Sequence, residues 1–301
     1  MQHQLRWTAL ILAASGAAAC RTATADGLFT TNIDSAARTL HQVDPSTGAA
    51  AAVRPDAPLT AGSWNGLSVL PGDGRFLYAV HNPRPPTFNS TQTSRLVKLR
   101  VADGQPTLLP LFDAAAAGLD ELFSTSVAIS PLNPTVAMVS AFDRFGPKVL
   151  FQAELASGAI IAGSAVELPN DRRLSALTYS PDGATLYGTD SEGLLVTVDP
   201  ATGVTTTVGD PGLSDFLTGL DFRPTDGALF AIEGFSLDRL LILDPVDGSV
   251  SSIVGPLGIR GPEGLAFVVP EPTGLWLVAS AVISLVARRR RQSAAANQRP
   301  A

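Results

Sequence analysis

Along the middle of the chain, apolar residues fall in short alternating runs broken by turn formers, and two phrases keep returning. The first is a run, a tight turn and a second run. Gly66-Leu67-Ser68-Val69-Leu70 passes through Pro71-Gly72-Asp73-Gly74 into Phe76-Leu77-Tyr78-Ala79. Ala176-Leu177-Thr178-Tyr179 passes through Ser180-Pro181-Asp182-Gly183 into Leu186-Tyr187-Gly188, and Gly219-Leu220-Asp221-Phe222 through Pro224-Thr225-Asp226-Gly227 into Leu229-Phe230-Ala231. Val127-Ala128-Ile129 before Val136-Ala137-Met138 is a worn copy. A period of two predicts strands, and Pro followed by Gly predicts hairpin turns, because Pro presets φ and Gly accepts φ > 0.

The second phrase is a strand ending in Asp-Pro-x-x-Gly: Val43-Asp44-Pro45 to Gly48, Val198-Asp199-Pro200 to Gly203, and Leu243-Asp244-Pro245 to Gly248. Each Asp is expected to serve its own turn by accepting from backbone N–H groups. The phrases alternate at about 45 to 60 residues per unit with four short strands each, the size of a propeller blade. The wording from Ser180 to Gly203 resembles the YVTN, NHL and WD40-like propeller families, and the resemblance implies a fold rather than a chemistry. The expected fold is all-β: one closed propeller over residues 26–268, in four-stranded antiparallel blades. Five blades are preferred, or six if the stretch Pro106 to Leu122 hides extra strands. Ala114 to Leu122 reads otherwise as a short helical insertion. Leu28-Phe29 lacks an inner strand before it and Gly264-Leu265-Ala266-Phe267 lacks a partner after it. The expected closure pairs the two in one blade, which removes open edges.

The two ends break this pattern. Arg6, an apolar run from Trp7 to Ala19 and Ala23-Thr24-Ala25 read as a signal helix over residues 1–25, cut before Asp26. A lipoprotein reading, with Cys20 lipidated, lacks the usual large aliphatic residue three places earlier. At the other end, Pro270, Glu271 and Pro272 precede an apolar run from Gly274 to Ala287, then Arg288, Arg289, Arg290 and Arg291. In that order these features resemble the PEP-CTERM sorting tail, here residues 269–291. The resemblance implies an exosortase-type processing enzyme as partner, often alongside an extracellular polysaccharide. The apolar run would be a helix about 21 Å long, short of the roughly 30 Å hydrocarbon core. The arginines are expected to keep the C-terminus, with residues 292–301 as a disordered end, on the cytoplasmic side. The protein is thus expected to be membrane-anchored first and then released to the outer envelope or the exterior.

Charge and composition narrow the function. Of 21 basic and 27 acidic residues, seven and one lie in the two ends, leaving 14 against 26 in the middle, a net of -12. Such a domain repels nucleic acid. The single cysteine excludes Cys-based metal sites, and no G-x-S-x-G, H-E-x-x-H or P-loop is present.

One constellation remains. Four residues into the second strand of each unit stand Asn32, His81, Ser140, Asp190 and Glu233, with Asn65 and Glu263 at the starts of inner strands. Gly261-Pro262-Glu263-Gly264-Leu265 is similar to the Glu-bearing strand of gluconolactonase-like propellers. That resemblance implies a divalent cation such as calcium, held by several oxygens. The simpler account is that strands end where solvent begins. Two functions follow: an exported binding or scaffold module, with a polysaccharide or envelope protein as partner, or a metal-dependent hydrolase or lactonase at the propeller axis.

Overall fold

The computed structural model describes residues 26–32, 39–53, 59–84, 91–234 and 236–269. The leader and the tail that begins at Pro270 lie outside the described residues.

Among the described residues, twenty strands form five four-stranded antiparallel sheets, one per blade. Blade 1 holds β1 (Gly27–Asn32), β2 (Leu40–Val43) and β3 (Ala50–Ala52), with the last described strand, β20 (Pro262–Val268), as its inner strand. Blade 2 runs β4 (Gly62–Leu70), β5 (Asp73–Pro83), β6 (Arg95–Arg100), β7 (Pro106–Leu111), and blade 3 runs β8 (Phe123–Ile129), β9 (Val136–Phe142), β10 (Lys148–Glu154), β11 (Val166–Glu167). Blade 4 runs β12 (Leu174–Tyr179), β13 (Leu186–Asp190), β14 (Leu195–Val198), β15 (Thr205–Gly209), and blade 5 runs β16 (Leu217–Phe222), β17 (Leu229–Glu233), β18 (Arg239–Leu243), β19 (Val250–Pro256). The closure is the expected one: Leu28 lies opposite Phe267 and Phe29 opposite Ala266. The stretch that might have hidden a sixth blade supplies only β7 and a short 3-10 helix over Ala114–Ala117.

The second strand of each blade is apolar on both faces because each face meets a different neighbour. Leu77 and Ala79 pack toward Phe29 and Leu40 of blade 1, while Tyr78 and Val80 pack toward Val127 and Phe151 of blade 3. The same division recurs around the ring. Leu229 and Ala231 face blade 4, and Phe230 and Ile232 face Leu28 and Phe267. The core is thus five apolar layers between blades.

A ring of only five blades crowds its inner strands. At Gly264, with φ +71°, a Cβ would stand 2.5 Å from the carbonyl carbon of Gly66. Only a residue without a side chain allows this approach. Near its start each inner pair also carries a β-bulge, as between Asn65 and Leu67 or Leu174 and Ala176. A bulge takes carbonyls out of the ladder and leaves them needing donors.

Candidate functional site at the front mouth of the propeller

Those carbonyls are answered from the neighbouring blade, at every junction. Thr31 Oγ1 donates between Glu263 O of its own blade (2.6 Å) and Trp64 O (3.1 Å), the second contact joining blades 1 and 2. Asn65 and Asn82 donate through Nδ2 to Ser124 O (3.0 and 2.8 Å), joining blades 2 and 3. Thr125 Oγ1 donates to Leu174 O (2.6 Å), Thr189 Oγ1 to Leu217 O (3.0 Å) and Thr218 Oγ1 to Pro262 O (2.8 Å), completing the ring.

The front mouth, where the inner strands begin, encloses about 190 Å3 lined by two stacked rings. The deeper ring takes one residue from each blade, two positions before Leu67, Val127, Leu177, Leu220 and Leu265: Asn65, Thr125, Ser175, Thr218 and Glu263. Two positions further out stand Ser63, Phe123, Arg173 and Phe216. In the deeper ring, Asn65, Thr125 and Thr218 hold the neighbouring blade. Ser175 and Glu263 do not. Their junctions are held instead by Thr189 and Thr31, from the second strands. Their side chains therefore face the cavity without a hydrogen-bond partner among the described residues. Asn65 adds an unsatisfied acceptor: it is 5% exposed, and its Oδ1 is buried with no donor among the described residues.

The outer ring gives the mouth aromatic walls and a cation. Phe123 packs on Phe142 at 5.2 Å, and the Arg173 guanidinium lies 4.5 Å from the Phe142 ring centroid. Phe216 is 43% exposed at the rim. Glu263 opens to the cavity but is otherwise surrounded by protein. Burial pushes its carboxyl up to about 8, with Arg173 pulling the other way. At neutral pH it is therefore mostly protonated and able to donate.

The sequence-derived constellation divides. Asn65 and Glu263 line the front mouth. The other five are buried in local contacts. Asn32 Oδ1 accepts from the Thr39 N–H (3.1 Å), and His81 packs on Trp64 at 4.7 Å with Nε2 3.1 Å from Ala61 O. Ser140 bonds Thr125 Oγ1 (2.8 Å) and Leu174 O. Asp190 Oδ1 accepts from the N–H groups of Glu192 and Leu194, and Arg172 lies 3.4 Å from its Oδ2. Glu233 pairs with Arg239 across β17 and β18. The sequence reading missed Arg173, Ser175, Phe123 and Phe216. Aligning the repeats two residues upstream of Leu67, Val127, Leu177, Leu220 and Leu265 would have shown the deeper ring.

The back mouth is larger, about 310 Å3, but its polar groups are engaged. Asp221 accepts from Thr178 Oγ1 and from the Phe267 N–H, each at 2.7 Å, and Ser68 Oγ accepts from the Ile129 N–H (3.0 Å). Burial pushes the Asp221 carboxyl up to about 7. Asp221 and Glu263 together set a pH dependence. In the unfolded chain both ionise near pH 4, whereas in the folded chain they do so at about 7 and about 8. Between those limits the folded state binds more protons, so stability falls as pH rises. Thermal midpoints are expected to climb as pH is lowered from about 8.5 to about 5.5, each group contributing at most about 1.4 kcal/mol per pH unit. Glu263→Gln is expected to flatten the slope, and an unchanged slope would contradict the raised titration. Below pH about 4 the trend reverses, because hydrogen bonds from their own turns hold Asp44, Asp182, Asp199 and Asp226 low.

No protein-family model matches the chain, and no curated protein matches it. Similar solved structures include a chain of the nidogen/laminin complex, at 11% identity and TM-score 0.47, covering 81% of this chain and 98% of that one. The periplasmic gluconolactonase of Pseudomonas aeruginosa is similar at 15% identity and TM-score 0.46, covering 81% and 99%. TolB of Acinetobacter baumannii is similar at 15% and 0.45, covering 79% and 54%. None of their activities passes to this chain on such a likeness.

Proposed function

We propose that the chain is an exported binding protein that holds a small polar ligand at the front mouth of its propeller. One observation carries the reading. In a ring position that otherwise fastens blade to blade, Ser175 and Glu263 are released because Thr189 and Thr31 hold their junctions. Polar side chains left open at an axis, between Phe123 and Phe216, match the make-up of ligand sites: apolar walls with a few placed polar groups. At about 190 Å3 the cavity is smaller than the roughly 300–1,000 Å3 of drug-sized sites, so the ligand is a single small molecule or the end of a chain. An exported propeller with such a mouth suits recognition of an extracellular polysaccharide terminus.

Export rests on the leader and the sorting-type tail. In this reading an exosortase-type enzyme recognises the tail near Pro270-Glu271-Pro272 and frees the propeller from the membrane. Intact mass from the native host is expected to lack both ends, and a mass retaining Arg288 to Arg291 contradicts tail removal. The binding reading is tested by a thermal-shift screen of small sugars and organic acids. Hits are expected to weaken at least tenfold in Phe216→Ala, whereas hits indifferent to Phe216, Ser175 and Glu263 would place binding elsewhere.

A second reading has one observation in its favour. A carboxyl held protonated at neutral pH, as Glu263 is, can serve as a general acid in hydrolysis of a sugar lactone. Turnover of a lactone that disappears in Glu263→Gln would select it.

A further inference from the structure

The charge at the front mouth says which small ligand fits. Basic side chains in this acidic domain tend to sit on carboxylates: Arg75 on Asp73, Arg100 on Asp103, Lys148 on Asp171, Arg223 on Asp226 and Arg239 on Glu233. Arg173 has no such contact among the described residues. It faces Glu263 across the mouth and is braced from behind by the Phe142 ring, which fixes the guanidinium without neutralising it. Arg172, beside it in sequence, is taken by Asp190 (3.4 Å). An unneutralised guanidinium at the rim of a small cavity is a receptor for a carboxylate, which its planar fork matches.

The other groups complete the description. Asn65 Oδ1 is a buried acceptor that lacks a donor, and a ligand hydroxyl supplies one. Ser175 offers a hydroxyl that can donate or accept. Phe216, 43% exposed at the rim, adds apolar surface beside the cavity. Deepening the front-mouth reading and resting on it, we propose that the ligand is a small hydroxy-carboxylate, a hexuronate being the simplest case, its carboxylate on Arg173 and a hydroxyl on Asn65.

Glu263 then becomes a gate set by pH. As a neutral acid it can donate to the ligand, but as a carboxylate it repels a ligand anion. Its carboxyl titrates at about 8. In the lining of the mouth the one other charged group is Arg173, whose guanidinium burial lowers from its ordinary value while Glu263 pulls it back up. Behind it, Arg172 and Asp190 are paired with each other. Affinity for the anion should therefore be level below pH 8 and fall about tenfold per pH unit above it, while affinity for a neutral sugar should not.

The test is calorimetric titration of the purified full-length protein with D-glucuronate and with D-glucose, which differ in the carboxylate, between pH about 6.5 and 9.5. The expected results are at least about tenfold preference for glucuronate at pH 7 and loss of its binding above pH 8. Glu263→Gln is expected to keep glucuronate binding and remove its pH dependence, and Arg173→Met to erase the preference. Equal affinity for the two sugars overturns the inference. So does glucuronate binding that ignores both pH and Arg173. The wild-type pH profile needs no variant to fold. If the wider screen yields a front-mouth ligand without a carboxylate, the inference falls and the binding reading stands. If it yields no front-mouth ligand at all, both fall.

Discussion

Phe267→Ala is expected to destabilise the protein by about 3–5 kcal/mol, with Val269→Ala, two residues on, within about 0.5 kcal/mol of wild type. Phe267 is fully buried on β20, whereas Val269 is 48% exposed. The Phe267 ring meets Phe230 edge-on at 5.1 Å across the junction of blades 5 and 1, and its N–H donates to Asp221. Truncation leaves a cavity in the layer between those blades, on the strand that closes the ring. Urea unfolding checks this: the midpoint should fall with the slope unchanged, which separates lost stability from a changed unfolded state. Similar small effects from both substitutions would mean that β20 contributes little to closure.

The second large effect is expected at the periphery. Gly209 ends β15, and a Cβ there would stand 1.7 Å from the carbonyl oxygen of Asp247, in the turn that follows β18. No side-chain rotation relieves a contact between a Cβ and a backbone oxygen, so blades 4 and 5 must part. Gly209→Ala is expected to cost about 2–4 kcal/mol. Gly163→Ala is the control. A Cβ at Gly163 meets open space, and the penalty is only that of a left-handed residue at φ +74°, about 1–2 kcal/mol. The same unfolding measurement compares the two, and a smaller loss at Gly209 than at Gly163 would contradict the docking of that turn.

The fold was legible because local chemistry repeats. The hairpin turns work as their composition suggests, with Gly72, Gly183 and Gly227 at φ near +80°, +73° and +72°. The Asp-Pro-x-x-Gly aspartates serve their own turns: Asp44, Asp199 and Asp244 accept through Oδ1 from Ser46, Ala201 and Val246 at 2.8, 2.9 and 2.8 Å. The complementary half-units at Leu28 and Phe267 foretold the closure. The blade built on the poorest repeat wording, blade 3, ends in the shortest outer strand, Val166–Glu167.

The site was less legible, for a physical reason. A polar residue at a strand end looks the same in sequence whether it holds the next blade or faces a cavity. Thr218 and Ser175 occupy the same repeat position, yet Thr218 bonds Pro262 O and Ser175 is left open because Thr189 reaches Leu217 O first. That distinction lies in the second strand of the same blade, where Thr189 stands at the place that Ile232 takes in blade 5. Asp190 and Glu233 misled for a similar reason. Their regular placement after apolar runs suggested a shared site, while their partners, two residues on for Asp190 and across the hairpin at Arg239 for Glu233, are local. Arg173 carried no repeat signal, since its counterparts are Ser63, Phe123 and Phe216.

The closed ring and the front mouth both depend on β20, because that strand brings Glu263 to the mouth. Hydrogen exchange on the full-length protein, followed by mass spectrometry, measures the closure directly. Amides of β1 and β20 are expected to exchange as slowly as those of β12 and β16, by global unfolding. Fast exchange in β1 or β20, at the rate of an unpaired edge strand, would contradict the closed propeller and the front-mouth site with it.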